Sequence, residues 1–137
     1  MNKTMIATTI EQSKYLLKLG LSPDTADMYY PKVDENIYSI CPYPKECDVF
    51  RKQESDIPAW SLSALLKLMP KVMKGIPEKA AYEFVLKTNV YDAWQCNYEH
   101  PSFGELYSFP AQKTPIDTAY NMVVWMLEEG YIKTEKK

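Results

Sequence analysis

"IPAWSLSALLKLMP", residues 57–70, decides whether this chain keeps its most apolar segment for its own interior. Ser61 is a good N-cap, so Leu62, Ala64 and Leu65 fall at the first, third and fourth helical positions. Trp60 stands just before the cap, where a hydrophobic side chain packs against the fourth helical residue, here Leu65. Leu62, Leu65, Leu66 and Met69 trace one face at helical spacing, and Pro70 ends the run. Burying a leucine gains about 1.5–3 kcal/mol, so holding four such side chains in water for occasional docking is expensive. The stretch predicts a core helix over 61–69, with Trp60 as a staple that sets the chain's entry angle.

The partners of that helix are written on either side of it. In "TPIDTAYNMVVWMLEEGYI" (114–132), Thr114 caps, Pro115 takes the first helical position and Asp117 the reciprocal place of a capping box. Ile116, Ala119, Tyr120, Val123, Val124 and Leu127 keep the 3.6 period, and Gly130 closes the helix. Met122, Trp125 and Met126 widen the apolar sector, which predicts a helix wedged between a sheet and another helix. Upstream, "TTIEQSKYLLKLG" (8–20) reads as a helix with a capping box from Thr8 to Glu11 and a terminal Gly20. Ser22, Pro23 and Asp24 then start a second short helix over "PDTADMYY" (23–30), giving an N-terminal helical hairpin.

From residue 80 the period changes to two. "AYEFVLK" (81–87) sets Tyr82, Phe84 and Leu86 against Glu83, Val85 and Lys87. "DAWQCNYE" (92–99) sets Trp94, Cys96 and Tyr98 against Ala93, Gln95 and Asn97, and "ELYSF" (105–109) follows a turn at Pro101 and Gly104. A helix over 78–87 competes, because Ala81, Phe84 and Val85 also share a helical face. Short links between successive strands predict a three-stranded antiparallel meander. Residues 31–57 carry Pro31, Pro42 and Pro44 and read as a long irregular connection with a brief strand at "NIYSI" (36–40). The expectation is one α+β domain over 1–137: the meander packed against the C-terminal helix, the N-terminal hairpin, one further short helix, and frayed ends at 1–7 and 133–137.

Composition bounds the function. The chain has 137 residues, 46% of them hydrophobic and 25% charged, which suits an ordinary globular domain. Its net charge of −2 gives no long-range pull toward nucleic acid or an anionic membrane, and Arg51 is the only arginine. The longest apolar run, "MVVWML" (122–127), is far too short to span a bilayer, and the start of the chain has no signal-peptide pattern. Three cysteines, an odd number, agree with a reducing compartment, so a cytoplasmic location is expected.

Chemistry has few places to hide. Cys41, Cys47, Cys96 and His100 make the best metal set, for a zinc-stabilised module or a small metal-dependent enzyme. Five residues separate Cys41 from Cys47, wider than a zinc knuckle uses, and Cys96 shares the apolar strand face of Trp94 and Tyr98. His100, the only histidine, stands in a turn, and no glycine-rich phosphate loop or catalytic signature is present. No catalytic residue, cofactor or metal is therefore assigned. The 15–30 segment has a helix-turn-helix outline for a DNA-binding regulator, but Asp24 and Asp27 on its second helix repel phosphate.

Three segments together, "TTIEQSKYLLKLGLSPDTADMYY", "DIPAWSLSALLKLMP" and "TPIDTAYNMVVWMLEEGYI", resemble an uncharacterised family of small proteins common in phages and mobile elements of gut anaerobes. The resemblance covers most of residues 8–133. It implies a mobile-element accessory protein in a bacterial cytoplasm and carries over no activity and no functional residue. The cysteine-bearing loop 41–47 falls outside those segments. The reading that results is a non-catalytic protein acting through protein–protein contacts, with Tyr29, Tyr30 and Tyr43 as contact residues and no nucleic-acid or membrane partner. Tyrosine suits that role because it joins a large apolar ring to a polar tip. An unprotected edge strand also offers a route to a homodimer.

Overall fold

The structure, a computed structural model, describes residues 6–30, 32–33, 37–38, 41–42, 57–74, 81–89, 91–102, 104–105, 110–132 and 134. For 32–33, 37–38, 41–42, 72–74 and 105 it describes the backbone alone. Residues 43–56 and 106–109, which hold most of the long connection and the rest of the expected third strand, lie outside the described residues, as do most of 1–7 and of 133–137.

The fold is α+β. Three helices, α1 (Ile10–Lys18), α2 (Leu62–Leu68) and α3 (Pro115–Glu129), accompany short antiparallel strands. A three-stranded sheet has β1 (Met28–Tyr30) at its centre, flanked by β4 (Cys41–Pro42) and β5 (Ile57–Ala59). β2 (Lys32–Val33) and β3 (Ile37–Tyr38) form a two-stranded pair. A four-stranded sheet runs β6 (Val72–Lys74), β7 (Ala81–Thr88), β8 (Trp94–His100) and β9 (Gly104–Glu105), each paired to the next. The expected three-stranded meander is thus corrected: β6, three residues that follow the α2 helix, adds a fourth strand by pairing Val72 with Glu83 and Lys74 with Ala81. The 78–87 segment is strand and not helix from Ala81 onward.

The helical hairpin is also corrected. Only one 3₁₀ turn, Pro23–Thr25, forms after Ser22, whose hydroxyl accepts from the Asp24 amide. Ala26 then adopts extended backbone, ψ 147, and residues 28–30 become β1. The physical reason is long-range. Met28, Tyr29 and Tyr30 find a whole ladder of partners in β5, and aromatic residues suit strands, so pairing overrides the local helix signal. The helix-turn-helix outline loses its second helix with this change.

α1 is capped one residue later than the sequence suggests. Thr9, not Thr8, accepts from the Gln12 amide, and Gln12 reaches back to the Thr9 amide at 3.0 Å, completing the capping box. Thr8 is drawn instead into the interior, where its hydroxyl meets Ser13 at 2.7 Å and the Trp60 amide at 3.1 Å. Ala7 is buried beside it, so the expected fraying does not extend that far. α1 and α3 both end on a glycine with positive φ, Gly20 at 100° and Gly130 at 83°. In each, the next amide bonds five residues back, Leu21 to Leu16 and Tyr131 to Met126, a closure that favours glycine at the turn.

The core gathers on α3. Its buried stripe, Ile116, Ala119, Met122, Val123, Met126 and Leu127, belongs to one cluster with Leu16, Trp60, Leu65, Cys96 and Tyr98. α3 touches β8 on one side and α2 on the other. Trp60, Leu65 and Val123 are each 0% exposed. The Trp60 and Leu65 side chains of the opening stretch are therefore interior. Trp60 does more than staple: its indole N–H donates to the Thr25 hydroxyl at 2.9 Å, which seats the 3₁₀ turn.

Candidate functional site

The residues expected to carry contacts or chemistry are largely engaged inside the fold. Tyr30 is half-buried on the central strand β1, and its hydroxyl donates to the Thr8 carbonyl at 2.7 Å. Burial raises its pKa above the ordinary tyrosine value. Tyr29, also half-buried, registers with Cys41 on one side and Pro58 on the other. Tyr43 lies outside the described residues.

The four-ligand zinc set does not assemble among the described residues. Cys41 is placed in the three-stranded sheet and Cys96 and His100 in the four-stranded one, while Cys47 lies outside the described residues. Cys96 is 0% exposed, and its thiol points at the Thr118 carbonyl 3.3 Å away. The Thr118 hydroxyl in turn accepts from the Cys96 amide at 3.1 Å. Burial pushes the thiol from its ordinary 9.0 up to about 11, with the Thr118 hydrogen bond opposing the rise. Such a thiol is neither a ready ligand nor a ready nucleophile. No group of three or more His, Cys, Asp or Glu side chains among the described residues is arranged to hold a metal.

His100 faces a shallow depression of about 230 Å³ with Glu83, Val85, Glu99 and Pro101. Its Nδ1 accepts from the Ser102 amide at 3.0 Å, which leaves the neutral ring's proton on Nε2 as a donor rather than a lone pair for a metal. Register places Glu83 opposite Glu99, and directly opposed like charges repel across a ladder. Lys87 relieves this by meeting Glu99 at 2.8 Å. Lys87 itself registers with Gln95, so that ion pair crosses the intervening row of Val85 and Asn97. In that row Asn97 is 0% exposed, with neither carboxamide atom hydrogen-bonded.

The most distinctive exposed surface is aromatic and lies where α1 approaches α3. Tyr120, Val124 and Glu128 follow one another at four-residue spacing along α3, with Trp125 beside them. All but Glu128 are half-buried. The Tyr15 hydroxyl donates to Glu128 at 3.3 Å from α1, and Gln12 donates to Asp117 at 3.0 Å. Tyr131, 50% exposed, packs its ring 5.2 Å from that of Trp125. The Glu128 charge raises the Tyr15 pKa, and burial followed by the Tyr15 and Glu128 charges raises that of Tyr120, which places these groups in one electrostatic neighbourhood. Sequence reading assigned Tyr120 and Trp125 to the core stripe of α3. The available signal was their position on the polar edge of that stripe, beside Asn121 and Glu128.

No helix among the described residues is long and apolar enough to cross a membrane. Set against known family models, curated proteins and solved structures, the chain shows no match.

Proposed function

We propose that this chain is a non-catalytic binding protein, an accessory of a phage or other mobile element, whose working surface is the aromatic face of α3. The observation that carries the reading is the set Tyr15, Tyr120, Val124, Trp125 and Tyr131 on and beside α3, apolar side chains left partly in water, with Tyr15 tied to Glu128 and Trp125 packed on Tyr131. Fixed tyrosine and tryptophan rings are the usual anchors of protein contacts, because they bring large area with few rotors to immobilise. The internal engagement of Cys96 and Asp27 supports the non-catalytic half of the reading. Glu128 and Glu129, both exposed, border the rings. The fitting partner is a protein segment bearing lysine or arginine, which can meet both the ring faces and the carboxylates.

The test compares capture of partners from the protein's own host by the wild type and by Trp125→Ala and Tyr131→Ala. A basic partner retained by the wild type, released as salt rises and lost by at least about tenfold in both variants supports the reading. Capture that survives both substitutions ends it. Tyr29→Ala and Tyr30→Ala are the contrasting arm: loss of capture there, with the α3 variants unaffected, moves the contact to β1.

A further inference from the structure

A cleft of about 370 Å³ opens between the Pro23–Thr25 turn and α2, lined by Asp24, Thr25, Ala26, Asp27, Ala64, Lys67 and Leu68. Its floor is the outside of the core: Ala64 is 4% exposed, and Ala26 and Leu68 pack against the same cluster. Two braces hold its walls. Trp60 donates to Thr25 at 2.9 Å, and Asp27 receives both the amide and the hydroxyl of Ser61, the N-cap of α2. Asp27 is thereby engaged. Among the described residues, Asp24's carboxylate and Lys67's ammonium have no ion-pair partner, and they do not pair with each other across the cleft.

We propose that this cleft binds a small apolar zwitterion, an α-amino acid with an aliphatic side chain. Opposite charges attract, so two that face one cleft and remain apart leave a gap that a molecule carrying both charges fits. The ligand's ammonium meets Asp24, its carboxylate meets Lys67, and its side chain covers Ala26, Ala64 and Leu68. The braced walls mean the site is formed before the ligand arrives, which keeps the ordering cost of binding low. Both charged groups are exposed to solvent, so each contact is modest and affinity is expected at about the millimolar level. This site shares no residue with the aromatic face of α3 and stands or falls separately from it.

The experiment is titration of ¹⁵N-labelled protein with free L-leucine, reading the indole N–H signals. Trp60 reports on the cleft through its bond to Thr25, while Trp94 and Trp125 serve as internal controls. Leucine is expected to move the Trp60 signal alone. Asp24→Asn and Lys67→Gln should each weaken binding about three- to tenfold. N-acetyl-leucine, which lacks the cation, should be insensitive to Asp24→Asn, and leucinamide, which lacks the anion, insensitive to Lys67→Gln. The proposal is overturned by a still Trp60 signal at about 50 mM leucine, by equal movement of all three indoles, or by binding that neither substitution weakens.

Discussion

Thr8 and Asn97 are both 0% exposed, and they differ in what surrounds them. Every polar atom of Thr8 is used: its amide donates to the Trp60 carbonyl, its carbonyl accepts from Tyr30, and its hydroxyl serves Ser13 and the Trp60 amide. Asn97 has neither side-chain atom bonded. A satisfied buried hydrogen bond adds only about 1 kcal/mol, whereas an orphaned group costs about 1–3 kcal/mol. The first region is therefore a seam that holds the N-terminal segment to β5 and β1, and the second is a liability in the middle of β8. One lesson is that burial alone says nothing about the sign of a polar residue's contribution; its partners decide it.

The sharpest way to break this contrast is Thr8→Val, which keeps the shape and removes the hydroxyl. It orphans the Trp60 amide and the Ser13 hydroxyl together, so urea unfolding should show a loss of about 2–4 kcal/mol. A loss below about 0.5 kcal/mol would erase the distinction between the two regions.

Next comes alkali, which tests the inner side of the same strand that carries Asn97. Cys96 has its pKa raised from 9.0 to about 11, so its folded-state contribution is complete below pH 9 and is lost as pH climbs toward 11. Burial and the neighbouring Cys96 charge also raise Tyr98, which extends the same loss to higher pH. The decline attributable to Cys96 is at most about 3 kcal/mol. In Cys96→Ala, stability measured between pH 8 and 11 should fall less steeply; an unchanged slope would mean the thiol is not sealed as described.

The smallest effect is expected to be a gain. Asn97→Val replaces an unpartnered carboxamide with a good strand former opposite Val85, and should raise stability by about 1 kcal/mol. A comparable loss, read from the thermal midpoint, would show that the carboxamide has a partner in solution and would draw the two regions together.

The parts of the fold legible in the sequence are those whose signals are short-range. Thr114, Pro115 and Gly130 bound α3 as read, and Ser61 caps α2, because a cap and its amide lie within four residues. Tyr82, Cys96 and Tyr98 are buried as their alternation implies. Where distant contacts decide, the pattern is degenerate. Thr8 and Thr9 both precede a capping partner by three residues, and only the bonds to Trp60 select Thr9 as the cap. Residues 28–30 read as helix until β5 is beside them. Asn97 alternates with the inward Cys96 and Tyr98 along β8, so the period of two alone does not reveal that it is enclosed. The Asp24–Lys67 cleft was invisible for the same reason, since its two walls come from segments about forty residues apart in the chain.

The bond from Gln12 to Asp117 joins residues 105 positions apart, and that from Thr8 to Trp60 joins residues 52 apart. On the ribosome, where synthesis runs at about 5–20 residues per second, the first helix emerges early with its own cap. It must then wait several seconds for the strand that receives it, and longer for the last helix. During that interval Leu16 has no permanent neighbours, so the nascent N-terminal third is the stage at which a chaperone has most to hold.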